Sequence, residues 1–289
     1  MPELPEVETI KRGLIKFVVQ QKIKRVEVRC EKSFIGPVEL VEGAEIADVR
    51  RRGKCLLVDL SNGITMMIHL RMTGQVIYRA NKGEDFAGGH PSESFVEELP
   101  NKQTRVIFEL SDGALYFNDQ RKFGFVKVLP TAEVEQEKFI ASLGAEPWEM
   151  DVDEFYQKLQ RHGKSPIKAV ILDQKVIAGV GNIYADEALF EIGVHPKTLA
   201  GSLSKKQARE LVKAAAKVMD ASINSGGSTM ATYVRADGTR GDYLELFAQV
   251  FRREGQPCKR CGTEIEKIRV AGRGTHICPK CQKYKEAHA

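Results

Sequence analysis

Apolar residues keep helical spacing once in the first half of the chain: Val7, Ile10, Leu14 and Phe17 fall three or four apart between about Pro5 and Val19, which predicts one amphipathic helix. The period then changes. Runs rich in branched residues, Ile23–Cys30, Ala44–Arg50, Cys55–Leu60, Ile64–Leu70, Arg105–Leu110, Ala114–Asn118 and Phe125–Leu129, read as strands. Asn62-Gly63 and Asp112-Gly113 lie between such runs and signal hairpins, so an antiparallel sandwich or barrel is expected. Ala80–Lys102, with its glycines, acids and two prolines, reads as a surface loop.

Helical spacing returns from about Glu133, over Glu133–Leu143, Asp153–His162, Ile167–Leu172, Ile183–Glu191 and Ser204–Asn224. The linker near Pro130 is the expected boundary, giving segments 1–130, 131–252 and 253–289. Ser225–Asp242 holds four glycines and is too long for a simple turn; it is either disordered or a functional flap.

Composition adds little until charge is located. The 289 residues are 42% hydrophobic and 29% charged, as in a globular protein with a sizeable core. No apolar run approaches the ~20 residues of a membrane span, and the acidic start lacks the basic and apolar regions of a signal peptide, so an intracellular protein is expected. Of the net +5, the stretch Arg252–Ala289 carries +6, ten Lys/Arg against four acids, which leaves −1 elsewhere. A compact basic module on a nearly neutral body implies a polyanion partner, nucleic acid first.

That module contains Cys258-x-x-Cys261 and, sixteen residues on, Cys278-x-x-Cys281. Two such knuckles place four thiolates tetrahedrally around one Zn²⁺, with the intervening segment free to form a hairpin. No secretion signal favours disulfides, and Cys30 and Cys55 are isolated. Four cysteines leave no open coordination position, so the ion is structural and the module depends on it to fold. Arg273, flanked by Gly272 and Gly274, falls at the expected hairpin tip, within reach of a groove or a phosphate.

The first six residues, Met1-Pro2-Glu3-Leu4-Pro5-Glu6, hold the other candidate chemistry. Pro2 is small enough to permit removal of Met1, which leaves a free secondary amine. An α-amino group titrates near ~7.7–8.0, so roughly a tenth is neutral at pH 7 and able to attack an electrophilic carbon. Glu3 and Glu6 are close enough to move a proton. The alternative is that Pro2 and Pro5 merely punctuate a helix start.

These features, together with Arg52-Gly53-Lys54, His69-Leu70-Arg71-Met72-Thr73-Gly74, Asp119-Gln120-Arg121-Lys122-Phe123-Gly124 and Gly179-Val180-Gly181-Asn182-Ile183-Tyr184, resemble the formamidopyrimidine-DNA glycosylase family along essentially the whole chain. The resemblance implies an α+β multidomain fold: an N-terminal β-sandwich with an N-terminal helix, then a helical domain with a helix–two-turns–helix motif, then a four-cysteine zinc hairpin. It implies a bifunctional glycosylase and abasic-site lyase acting on oxidised purines in double-stranded DNA, as a cytoplasmic bacterial monomer with no membrane partner and one structural Zn²⁺.

By the same resemblance, Pro2 is the Schiff-base nucleophile, Glu3 a proton donor and Glu6 its support, while Lys54 and Arg273 donate protons in β- and δ-elimination. Met72 and Phe123 are wedges, Arg121 pairs with the base left opposite the lesion, and His69, Lys168, Asn182 and Arg273 contact DNA. Ser228 and Tyr233 belong to a lesion-covering flap. Asn182 also reads as a helix cap, with Asp186 and Glu187 in the first turn. Gln120 replaces a common proline, and Thr73 occupies a variable position. The rival readings are a sister enzyme of the endonuclease VIII type, selective for oxidised pyrimidines, and a non-catalytic zinc DNA-binding protein.

Overall fold

A computed structural model describes residues 2–90, 92, 95–226 and 247–284. They form two compact units, one on the chain up to Ala141 and one on Ser142–Asn224 with the carboxy-terminal segment. Among the described residues no helix is long and apolar enough to cross a membrane.

In the first unit the helical stripe becomes α1 (Leu4–Val18), and the branched runs become strands β1 (Ile23–Val28), β2 (Phe34–Ile35), β3 (Ile46–Arg52), β4 (Cys55–Leu60), β5 (Ile64–His69), β6 (Gly74–Arg79), β7 (Phe86–Gly89), β8 (Thr104–Leu110), β9 (Gly113–Asp119) and β10 (Phe125–Pro130). Two five-stranded sheets result, ordered β1-β8-β9-β6-β7 and β2-β10-β5-β4-β3. Both expected hairpins form, β4 with β5 and β8 with β9. Alternate residues of each sheet, such as Val106, Phe108 and Phe117 from one and Val58, Met66 and Ile68 from the other, share one core.

Three strands were not visible in the pattern. β6 starts at a glycine, β7 ends in two, and β2 has only two residues; β2 also runs parallel to β10, so the second sheet is mixed rather than purely antiparallel. The expected Ala80–Lys102 loop therefore contains an edge strand whose Phe86 is buried. Its ring rests directly on α1, because a Cβ at Gly13 would lie 2.0 Å from it. Helix α1 thus packs against β7 of one sheet and β3 of the other. Burying Leu4, Val7, Ile10, Leu14 and Val18, at ~1.5–3 kcal/mol each, holds its amino-terminal end in place.

The expected helix Glu133–Leu143 is a 3₁₀ segment, Thr131–Gln136, followed by the short α2 (Lys138–Ala141). Glu137 adopts an extended backbone between them, and its carboxylate accepts the Phe139 and Ile140 N–H groups, which restarts the helix.

The second unit comprises α3 (Val152–Arg161), α4 (Ile167–Leu172), α5 (Asn182–Glu191), α6 (Lys205–Asn224) and the hairpin β11 (Glu266–Val270) with β12 (Arg273–Ile277). Asp151 caps α3, and Ser204 with Gln207 forms a capping box for α6. Helix α5 is central, every residue from Ile183 to Phe190 being buried.

Candidate active site and nucleic-acid interface

Pro2 and Glu3 are buried at the start of α1. The Glu6 carboxylate accepts the Glu3 N–H at 2.8 Å, and the Glu3 side chain accepts the Glu6 N–H, a reciprocal capping box that fixes the backbone beside Pro2. Glu8, within the next turn, pairs with Arg51 at 3.1 Å, and Arg51 also donates to the Gly53 carbonyl at 3.0 Å. Burial alone would raise the Glu8 carboxyl, but hydrogen bonds from Lys11 and Arg51 outweigh it and hold the group below its ordinary value. Glu8 and Arg51 thereby tie α1 to the two-residue turn Gly53-Lys54 that joins β3 to β4. Nothing in the sequence distinguishes Arg51 from its neighbours Arg50 and Arg52; only the fold gives it this partner.

Lys54 is buried, and its charge reaches His69, which ends β5 opposite Cys55. Burial, then the cations Arg71 and Lys54, push the imidazole down to about 3. The Arg71 N–H donates to His69 Nδ1 at 3.0 Å, so the proton of the neutral ring resides on Nε2. Phe139 meets the ring edge-on at 5.2 Å. Since the unfolded histidine titrates near ~6.5, the unfolded chain binds the extra proton between there and about 3, and stability is lost as pH falls through that window. Unfolding free energies from urea titrations between about pH 6.5 and 4.5 should show a dependence up to ~1.4 kcal/mol per pH unit shallower in His69→Gln; parallel slopes would refute a neutral buried ring.

Met72 and Phe123 are large apolar side chains left 37% and 56% exposed, in the turn after β5 and the loop after β9. The Arg121 guanidinium lies over the Phe123 ring, 4.9 Å from its centroid. Two exposed apolar side chains and an arginine thus sit on neighbouring loops of one unit.

In the second unit the structure corrects three expectations. Lys168 does not face outward: it is fully buried, its Nζ 2.6 Å from Asp186 and 2.7 Å from the Thr275 hydroxyl. Asn182 does not cap α5. Gly181 holds the N-cap, and the Asn182 amide donates to the Gly274 carbonyl at 3.0 Å. Asp186 and Glu187 lie in the second turn, buried: Asp186 accepts the His276 N–H at 2.9 Å, and Glu187 accepts N–H groups of Gln249, Val250 and Phe251. These bonds bring Arg273, exposed at the start of β12, to the amino-terminal end of α5. Ala271 and Gly272 precede it with φ of 47° and 76°, the conformation of a two-residue type I′ turn. Ser228 and Tyr233 lie outside the described residues.

The sulfur atoms of Cys258, Cys261, Cys278 and Cys281 lie within 4.8 Å of one another. Two of the separations, 4.0 and 3.4 Å, bracket the ~3.8 Å edge of a tetrahedron with Zn–S of ~2.3 Å. Burial and the neighbouring thiols push Cys281 up to about 12, so four thiolates this close require a cation. The donor set fits one structural zinc ion.

Comparison with known proteins agrees with this arrangement. Residues 1–126 match the profile of the formamidopyrimidine-DNA glycosylase N-terminal domain, 143–234 that of the formamidopyrimidine-DNA glycosylase H2TH domain, and 255–283 a zinc finger found in FPG and IleRS. A formamidopyrimidine-DNA glycosylase of Pelotomaculum thermopropionicum is 40% identical over 292 residues, covering 99% of this chain and all of that protein. A Lactococcus lactis FPG mutant, crystallised with a Fapy-dG containing DNA, superposes with a TM-score of 0.85 at 33% identity over 98% of this chain and all of the other. The MutM (FPG) protein of Thermus thermophilus gives 0.82 at 37% identity, over 97% and 98%. The fold and the relatives are those of a DNA glycosylase of base excision repair. The chain belongs to the formamidopyrimidine-DNA glycosylase family.

Proposed function

We propose that the chain excises oxidised purines, formamidopyrimidines and 8-oxoguanine opposite cytosine, from double-stranded DNA and then nicks the strand. The observation that carries this is the capping box at the start of α1, which fixes the Glu3 backbone next to the buried Pro2. With Met1 removed, the Pro2 amine attacks C1′ of the damaged nucleotide, the base leaves, and Glu3 protonates the ring oxygen as the sugar opens to an iminium. The iminium accepts the electron pair released when the C2′ proton is removed. Loss of the 3′-phosphate follows, with Lys54 as proton donor, and loss of the 5′-phosphate, with Arg273 as donor. Glu6 acts by fixing Glu3.

Extruding the nucleotide costs a few kcal/mol of stacking. Met72 and Phe123 fill the space, Arg121 bonds the orphaned base, and Asn182 and Arg273 hold flanking phosphates with the α5 amino-terminal end. His69, as a neutral Nε2–H donor, bonds backbone oxygen rather than pairing with charge. Zinc supplies no step; it shapes the hairpin that presents Arg273. The bacterial relatives suggest a cytoplasmic enzyme on nucleoid DNA.

The purine assignment is supported by the Lactococcus lactis relative and its Fapy-dG DNA. Duplexes carrying 8-oxoguanine opposite cytosine, formamidopyrimidine guanine or an oxidised pyrimidine should separate the readings. The first two should be cut at least ~10-fold faster than the third, the low end of what differing pocket contacts discriminate, and leave phosphate at both ends of the gap. Preference for the pyrimidine would move the chain to the endonuclease VIII type.

A further inference from the structure

Asp119 ends β9 fully buried, yet no step of the chemistry uses it. Its Oδ1 accepts the Thr73 hydroxyl and the Arg121 N–H, the latter at 3.1 Å, and its Oδ2 accepts the Gly124 N–H at 2.7 Å. The Arg121 N–H also reaches Thr73 Oγ1 at 3.0 Å, closing a ring of three groups. One carboxylate therefore holds both exposed loops: the turn with Met72, through Thr73, and the loop with Arg121 and Phe123, at both ends. Thr73, a variable position to sequence reasoning, is the link.

Three further observations show the loops built around this contact. Gly74 pairs with Asp119 across β6 and β9, and a Cβ on it would lie 2.3 Å from the Leu70 carbonyl, so the first turn is closed as tightly as glycine permits. Arg71 and Lys122, one in each loop and each beside a wedge, hold left-handed backbone with φ of 51° and 57°. Such geometry in non-glycine residues persists only where anchors impose it. Finally, the buried Arg105 donates to the Asp119 carbonyl at 2.7 Å, fixing the residue from behind.

We propose that Asp119 is a positioning residue that makes the Met72 turn and the Arg121–Phe123 loop a single insertion unit, with Thr73 as the coupling contact. Without it, either loop must be ordered separately when the duplex is opened. The proposal rests on the reading that these side chains enter the duplex at the lesion, and its test separates the two.

Single-turnover excision of 8-oxoguanine from a duplex is compared with cleavage of a preformed abasic site in a single strand, which needs the Pro2 centre and no wedge. Asp119→Asn and Thr73→Val should slow excision by ~10-fold or more, the worth of a hydrogen bond to a charged group, and Thr73→Ser, which keeps the hydroxyl, should restore it. Single-strand cleavage should stay within ~2-fold, and in a Met72→Ala/Phe123→Ala background neither change should add more than ~2-fold, because groups acting through one unit are not additive. Excision at the normal rate by both Asp119→Asn and Thr73→Val, or losses that multiply fully onto the wedge-less background, would overturn the coupling while leaving the wedges in place. Normal excision by the Met72→Ala/Phe123→Ala protein would overturn the wedge reading and the coupling with it. Should Asp119→Asn fail to fold, seen as lost single-strand cleavage, Thr73→Val and its Thr73→Ser rescue decide the matter.

Discussion

Protein that keeps Met1 should form no borohydride-stable adduct with 8-oxoguanine DNA and should lose at least ~1000-fold in strand cleavage, while binding the same duplex. The reason is electronic: an acylated Pro2 nitrogen has its lone pair in an amide and cannot attack C1′. In the processed protein the free amine lies just ahead of α1, whose positive end disfavours the ammonium form and so favours the nucleophile. The capping box keeps the Glu3 backbone fixed while this happens. Pro2→Gly retains a terminal amine but loses the ring that limits its directions, so a reduced adduct is expected. Peptide mapping of the trapped species should place the sugar remnant on Pro2. An adduct from the Met1-bearing form at the normal rate would move the nucleophile to a lysine, Lys54 first.

How much of this was legible before the fold depended on whether a signal was local. The stripe Val7, Ile10, Leu14 predicted α1, and Asn62-Gly63 and Asp112-Gly113 predicted two hairpins, because period and turn chemistry are properties of neighbouring residues. β7 was hidden since Phe86 is buried by a helix some seventy residues earlier, and glycines at its end erase the alternation. The same division runs through the site. The cysteine knuckles carry their chemistry in their spacing. The burial of Lys168 is not legible because its partners, Asp186 and Thr275, lie far along the chain, and a lysine's sequence neighbours say nothing of a buried carboxylate. Asp119 and Thr73 stood inside recognised motifs, yet their function is the bond between the motifs.

Stripping the zinc, or replacing Cys258 with serine, should weaken DNA binding by at least ~100-fold, since a structural zinc contributes ~10–16 kcal/mol to a module this small. The hairpin's own core is Cys258, Ile265 and Cys278 against Val250 and Phe190, two of its five members being ligands themselves, so it does not survive loss of the metal. The damage then spreads by a defined route. When β12 leaves, Lys168 loses Thr275 and the Gly274 carbonyl, Asp186 loses the His276 N–H, and Asn182 loses its anchor. A buried ion pair stripped of its other hydrogen bonds is destabilising, so α4 and α5 should loosen while the sheets of the first unit hold. Hydrogen exchange should therefore speed up in 167–191 and 258–282 but not in 55–69, and DNA affinity should return when zinc is restored. Cys30→Ser, outside the cluster, should change neither. Undiminished DNA binding by the zinc-free protein would mean that neither the hairpin nor Arg273 holds the phosphates, leaving the exposed loops of the first unit to grip the duplex alone.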